Sequence, residues 1–413
     1  MGATFTSVNP ARPAEVLGTY AEATVSDVHD AVESATAAQR GWARVPVPAR
    51  AEVIDRCGAI LASRKADVSR LVAREAGKIL VEAGGDVQEG IDMAHYVAGL
   101  GRAAQGETMP SELPDKMGWT TRQPVGIVGM ITPWNFPVAI PSWKCFPALL
   151  AGNGIVLKPS EHAPTCADEL VAALREAGVP PELVQVVHGH AEPAQALVVH
   201  PGVRAVSFTG SVPTGRLVAS AAMESGPRLV SLELGGKNAM VVLADADLAL
   251  AADGALFGAF GTAGQRCTST SRLIVHRAVA DELVESLVKR AGELRLGDPT
   301  DPATDVGPVI DRRSAERIHG MVEAALAEGA VAATGAEIVA VDGCAGGSFY
   351  APTILRGVQR QHRIAREEVF GPVLSVIEIE SLDEAIEIVN ESEYGLSAAI
   401  YTDAIAPALQ AVD

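Results

Sequence analysis

The stretch Val125-Gly-Ile-Val-Gly-Met-Ile-Thr-Pro-Trp-Asn-Phe-Pro137 decides the architecture. Its first seven residues form a short apolar run of β type that stops at a proline-framed turn, as a strand buried on both faces does. Similar runs recur at 155–157, 184–187, 205–208, 229–234 and 239–243, with helical stretches between most of them at 142–151, 165–177, 192–199 and 213–224. Strands alternating with helices of about ten residues predict a parallel, doubly wound α/β sheet. A second alternation follows: a strand at 272–276, helices at 278–294 and 314–328, strands near 337–341 and 373–379, and a helix at 382–390. Upstream, apolar positions at helical spacing predict helices over 25–44 (capped by Ser26-Asp27), 48–64, 65–76 and 81–104. Cys57 falls on the core face of the second. The polar piece 107–122, with two prolines, reads as a small β excursion. Two α/β domains meeting near Gly235 to Cys267 are the simplest account.

Bulk properties narrow the function. A chain of 413 residues, 48% of them hydrophobic, builds two or three globular domains. A net charge of -18 argues against nucleic acid and against an anionic membrane as partners. The five cysteines are scattered, without metal-ligand spacing or a disulfide framework, so no metal is expected. The stretch 248–264 is apolar but too short and too interrupted to span a bilayer, and the first residues lack a signal-peptide pattern. A cytoplasmic location is expected.

The chemistry gathers at Cys267, in Phe260-Gly-Thr-Ala-Gly-Gln-Arg-Cys-Thr-Ser-Thr-Ser271. Glycines at 261 and 264 allow a tight turn, and Arg266 places a cation beside the thiol, which suits a nucleophilic thiolate. A small buried hydrophobe is the competing reading. In Phe208-Thr-Gly-Ser-Val-Pro-Thr-Gly215 a strand runs through a turn into a helix, which suits either a pyrophosphate or an ordinary capped turn. Lys158 and Glu161, in Val156-Leu-Lys-Pro-Ser-Glu161, stand at a strand's carboxyl end and suit the hydroxyls of a ribose or a plain surface loop. Asn135, framed by prolines, is an oxyanion donor or a turn former, with Lys144 a buried cation downstream. Glu233, in an apolar strand, reads as a general base with a raised pKa or as a salt-bridged structural residue.

In combination and order these features resemble the aldehyde dehydrogenase superfamily. The resemblance runs from Asn9-Pro-Ala to Tyr394-Gly-Leu-Ser397. It includes Trp42, Arg50, Glu75-Ala-Gly-Lys78, Pro133-Trp-Asn-Phe-Pro137, Lys158-Pro-Ser-Glu161, Glu233-Leu-Gly-Gly-Lys237, Gly264-Gln-Arg-Cys267 and Glu367-Glu-Val-Phe-Gly-Pro372. It implies a variant Rossmann cofactor domain (1–106 and 123–234), a catalytic domain (235–413) and an oligomerisation excursion (107–122). It implies that Cys267 attacks the aldehyde carbon, Asn135 holds the oxyanion, Glu233 activates water, and Lys144 stands near them. The cofactor set it implies is Ile131, Thr132, Trp134, Lys158, Ser160, Glu161, Gly210, Ser211, Gly215, Gly235, Glu368 and Phe370. Glu161 favours NAD over NADP, because a carboxylate repels a 2′-phosphate, although NADP is used by some members. Ile140, Trp143, Arg266 and Thr268 map to the substrate, and Arg266 suits an aldehyde that carries a carboxylate. The stretch Pro137-Val-Ala-Ile-Pro-Ser-Trp-Lys144 is similar to members acting on semialdehydes, especially 2-oxoglutarate semialdehyde; general aliphatic aldehydes are the alternative.

The resemblance also implies a tail of several tens of residues beyond Asp413, which completes the family's homodimer or homotetramer. Two other functions share these residues. One is a non-catalytic, truncated nucleotide-binding homologue; the other is a thiol esterase working without NAD.

Overall fold

A computed structural model describes residues 2–103 and 105–412. Met1 and Asp413, the outer limits of the expected domains, and Ala104, the expected end of a helix, lie outside the described residues. The chain divides into two compact units. The first takes the residues up to Ser7, Val16–Glu75 and Ala83–Glu233; the second takes Val8–Glu15, Ala76–Glu82 and the residues from Leu234 onward. Two short segments inside the range 1–106 thus group with the second unit.

A hairpin of β1 (Thr4–Asn9) and β2 (Arg12–Ala21) opens the chain, followed by α1 (Val25–Trp42), α2 (Val47–Ser63), α3 (Lys65–Ala76) and α4 (Leu80–Gly99). The cap of α1 is Thr24 rather than Ser26-Asp27. The Thr24 hydroxyl accepts the Asp27 N–H and the Asp27 carboxylate accepts the Thr24 N–H, a reciprocal box that satisfies two otherwise unpaired amides. The excursion is an antiparallel hairpin of β3 (Thr108–Pro110) and β4 (Met117–Trp119) that exposes Met109, Met117 and Trp119.

The sheet of the first unit contains β5 (Ile127–Thr132), β6 (Gly154–Pro159), β7 (Val184–Val186), β8 (Val203–Gly210) and β9 (Leu229–Leu234), in the order β7-β6-β5-β8-β9. Strands β7, β6, β5 and β8 are parallel, and β5 and β6 are buried along their whole length. The helices α5 (Ala139–Leu150), α6 (Pro164–Ala177), α7 (Ala191–Val199) and α8 (Val212–Glu224) alternate with these strands.

Motif residues that carry no chemistry of their own hold this framework. Helix α5 is anchored at both ends. The Asp86 carboxylate accepts the Ala139 N–H at 2.8 Å, while the Trp42 indole N–H and the Arg50 Nε donate to Leu149 and Leu150 carbonyls at 2.9 Å. A second Arg50 nitrogen donates to the Val45 carbonyl at 2.6 Å. Buried Glu75 does the same for α6: its carboxylate accepts the Thr165 and Cys166 amides, the Thr165 hydroxyl and the Ser7 hydroxyl.

In the second unit, β10 (Asn238–Val242), α9 (Leu248–Phe260), β11 (Thr270–His276), α10 (Arg277–Gly292), α11 (Arg312–Ala327), β12 (Val331–Thr334) and the β13 (Ile338–Val339)–β14 (Phe349–Tyr350) ribbon follow one another. Strand β15 (Thr353–Arg356), the short α12 (Arg363–Arg366), β16 (Val373–Ile379), α13 (Leu382–Asn390), β17 (Ala398–Tyr401) and α14 (Ile405–Val412) complete it. The sheet order is β12-β15-β16-β11-β10-β17. All pairs are parallel except the edge pair β12–β15, so this sheet is mixed where a purely parallel one is expected. Alternate residues of β10 feed two cores. Ala239 and Val241 pack with α11 and α13, whereas Met240 and Val242 pack with α9 and α10. This is double winding.

Arg50→Ala strands two or more helix-end carbonyls in a dry environment, and it should lower the unfolding free energy by about 3 kcal/mol, measured by urea denaturation.

Candidate active site

In the first unit, three neighbouring parallel strands end together. Ile131 of β5 is paired with Lys158 of β6 and with Phe208 of β8, which brings Thr132, Lys158 and Thr209 to one edge. Among the described residues, the buried hydroxyl oxygens of Thr132 and Thr209 make no hydrogen bond. Two orphaned hydroxyls at the carboxyl end of a parallel sheet mark the place where such folds take a ligand. Lys158 is buried and its ammonium lies 3.5 Å from Glu161. Burial lowers the Lys158 pKa against the pull of Glu161. Burial raises the Glu161 carboxyl, but Lys158 and the other partners outweigh it and hold it below the usual range. Ser160 accepts the His162 N–H, and Trp134 meets the His162 ring edge-on. Past Gly210, Ser211 caps α8 by accepting the Thr214 N–H, and the Gly215 N–H closes the first turn onto the Ser211 carbonyl. A dinucleotide fits this donor set: a lysine and a carboxylate for a ribose, and a helix amino end for a pyrophosphate.

Asn135 is buried in the turn between β5 and α5. On α5, Lys144 donates to the Ser207 hydroxyl at 2.8 Å, and burial lowers its pKa to about 8 despite the carboxylate of Glu233. Trp143 is exposed, whereas Ile140, expected against the substrate, lies in the core. Glu233 departs from expectation. It sits on β9, the edge strand, whose residues alternate between exposed and half-buried, and it falls on the exposed side. The burial expected of it is therefore missing.

In the second unit, α9 leads into Thr262 (φ 54°), Ala263 (φ 49°) and Gly264 (φ 68°), a left-handed turn. A Cβ at Gly264 would meet the Gly371 carbonyl oxygen at 2.1 Å, so only glycine fits there. Gln265 locks the turn, donating to the Thr262 carbonyl and accepting the Ile310 N–H. Asn238 then clamps the far side of the turn, its amide donating to the Cys267 and Ser269 carbonyls at 2.7 and 2.9 Å. Cys267 is half-buried; the other four cysteines are buried, and burial pushes the thiols of Cys57 and Cys145 up to about 12. Thr268 is exposed.

Arg266, expected against a substrate carboxylate, donates one guanidinium nitrogen to the Phe257 and Gly258 carbonyls at the end of α9 and lies 4.4 Å over the Phe257 ring, while among the described residues its buried Nε has no hydrogen-bond partner.

Glu368 is set against the Gly235-Gly236 turn: the Gly236 N–H donates to it, and a Cβ on Gly235 would collide with it. Burial raises the Glu368 carboxyl against the opposing Gly236 bond and the charges of Lys237 and Arg317. Phe370 has φ 49°, and its carbonyl accepts from Arg317. Arg317 and Asn238 escaped the sequence reading; each acts through a fold contact with no local motif. Burial and nearby Arg272 bring Lys237 down to about 7, and among the described residues its ammonium has no hydrogen-bond partner.

Among the described residues no helix is long and apolar enough to cross a membrane, and no group of three or more acidic, His or Cys side chains is placed to hold a metal. The aldehyde dehydrogenase family model matches residues 1–413. An alpha-ketoglutarate semialdehyde dehydrogenase of Haloferax volcanii is 40% identical over 403 residues, covering 97% of this chain and 83% of the relative. An alpha-ketoglutaric semialdehyde dehydrogenase of Bacillus subtilis is 37% identical over 407 residues, covering 98% and 83%. The crystal structure of betaine aldehyde dehydrogenase from Staphylococcus aureus in complex with NAD+ superposes with a TM-score of 0.96 at 33% identity, covering 99% of this chain and 82% of that one. The chain belongs to the aldehyde dehydrogenase family. It is an NAD(P)-dependent enzyme that oxidises an aldehyde to the carboxylic acid.

The depressed Lys144 pKa has a thermodynamic consequence. Between about pH 8 and the ordinary value of 10.5, the unfolded chain holds the proton that the folded one has lost, so stability rises with pH across that window. Below it, the folded state bears the full cost of a charged, buried lysine. Lys144→Met should flatten the rise, measured by urea unfolding at stepped pH.

Proposed function

We propose that Cys267 is the nucleophile. The observation that carries this is its setting: it is the one half-buried thiol of the five, presented by a strained turn, while the other four are buried. The thiolate attacks the aldehyde carbon, forming a C–S bond and a thiohemiacetal, and Asn135 with the Cys267 amide holds the oxyanion. Bound at Lys158, Glu161, Ser211 and Glu368, with Ile131, Thr132, Trp134, Ser160, Gly210, Gly215, Gly235 and Phe370 around it, NAD(P)+ supplies the hydride acceptor. Glu233 takes a proton from the water that releases the acyl group from Cys267. Its exposure suits that work, since an exposed side chain has water at hand. Glu161 favours NAD by repelling a 2′-phosphate. The exposed apolar residues of the β3–β4 hairpin support assembly into a dimer or tetramer, and five free cysteines suit a reducing, cytoplasmic setting.

For the substrate we propose 2-oxoglutarate semialdehyde, on the strength of the two semialdehyde-oxidising relatives. Trp143 and Thr268, both exposed, stand as the side chains toward it.

Cys267→Ala should abolish NADH formation from any aldehyde while NAD+ binding, followed by calorimetry, survives. Turnover that persists in this variant removes Cys267 from the reaction, and ester hydrolysis indifferent to NAD+ in the parent favours the thiol esterase. Saturable NAD+ binding without oxidation of any aldehyde favours the non-catalytic homologue.

Across a panel of aldehydes with and without a distal carboxylate, kcat/KM should be highest for the carboxylate-bearing semialdehyde. Arg266→Met should leave that preference in place, because its guanidinium is held against the end of α9. A preference that collapses in this variant would return Arg266 to the substrate.

A further inference from the structure

The turn ahead of Cys267 is held in a conformation its own residues disfavour. Thr262 and Ala263 are not glycines, yet both sit in the left-handed region, at a cost of about 1–3 kcal/mol each. The amide that opens such a turn needs an acceptor from outside it, and here a side chain of the protein supplies one. Glu82, in the first turn of α4, accepts the Thr262 N–H at 2.6 Å. The same carboxylate accepts the Ile79 N–H at the start of α4 and faces the charges of Lys78 and Arg266. Glu82 and its partners all belong to the second unit, with Glu82 as the last residue of the segment Ala76–Glu82.

We infer that Glu82 is a positioning residue for Cys267: its carboxylate oxygen accepts the Thr262 N–H and so fixes the left-handed turn that presents the thiol. This rests on the reading of Cys267 as the nucleophile. Glu82 touches no reacting atom. Its effect passes through the turn, and Arg266, the cation beside the thiol, lies against it.

Reach and charge separate this role from simple support of a helix end. Glu82→Gln keeps an oxygen at the Thr262 N–H and loses the charge; Glu82→Asp keeps the charge and withdraws the oxygen by one methylene. A charge that only steadies the amino end of α4 makes Asp the better replacement. A positioning role makes Gln the better one. The readouts are kcat, KM for NAD+, and the rate at which iodoacetamide alkylates Cys267, followed on its own peptide by mass spectrometry.

Glu82→Asp should lower kcat by up to about 100-fold, the scale of a misplacement near 1 Å, and slow alkylation of Cys267, with KM for NAD+ unchanged. Glu82→Gln should stay near the parent. Adding Thr262→Gly to Glu82→Asp should recover both rates, since glycine takes the left-handed conformation without that acceptor, and this double variant also relieves any loss of folding. Parent-like rates in Glu82→Asp, a loss in Glu82→Gln as deep as in Glu82→Asp, or no recovery in the double variant each overturn the inference. A wrong nucleophile shows itself separately, as turnover in Cys267→Ala, and leaves the alkylation comparison intact.

Discussion

A parallel strand buried on both faces presents polar groups most readily at its ends, and the central strands of the first sheet obey that constraint. Strands β5 and β6 are buried throughout, so the hydrogen-bonding capacity of the first sheet collects at Thr132, Lys158 and Thr209. Helix amino ends add to it, because each alternation returns a helix to the edge where the preceding strand finished. The turn of Asn135 and the start of α5 follow β5 directly, and Ser211 with the start of α8 follows β8. The chemistry of the first unit is concentrated by its topology before any residue is chosen for reactivity.

The price of such concentration is that loops at the strand ends must be stiff, and the residues that stiffen them are seldom reactive. Trp42 and Arg50 cap α5, Glu75 sets the start of α6, and Asn238 clamps the carbonyls around Cys267. Each is a polar group buried with its partners satisfied, which is how a fold obtains rigidity without leaving unpaired charge. The strained turn at Thr262 and Ala263 belongs to the same logic, since a disfavoured backbone survives only where its neighbours over-determine it.

Much of this was legible in the sequence because periodicity and end-of-strand position are local properties. The runs at 125–131 and 155–157 are strands, and Cys57 is core, because burial on both faces or on one helical face writes itself into spacing. Direction was not legible: β12 pairs antiparallel to β15 by coming back along the edge, which no local pattern encodes. Side-chain direction was not legible either. Arg266 looked like a free cation beside a thiol, but a guanidinium with carbonyls within reach at the end of α9 is held there. Glu233 looked buried because its neighbours are apolar; an edge strand makes alternate residues face outward, and the glutamate takes an outward position. Glu82, Arg317 and Asn238 act across large separations in sequence, so no spacing announces them.

The lysines complete the electrostatic picture. Burial depresses the pKa of Lys144, Lys158 and Lys237, taking Lys144 to about 8 and Lys237 to about 7. The chain is strongly acidic, yet these three ammonium groups are kept from water, where a lysine ordinarily has its charge solvated. A partly desolvated cation exerts a field that salt screens poorly. Lys158, at the edge of the first sheet beside Glu161, therefore keeps a local field distinct from the net charge of the chain. Local burial, not overall charge, sets the potential at such a strand end.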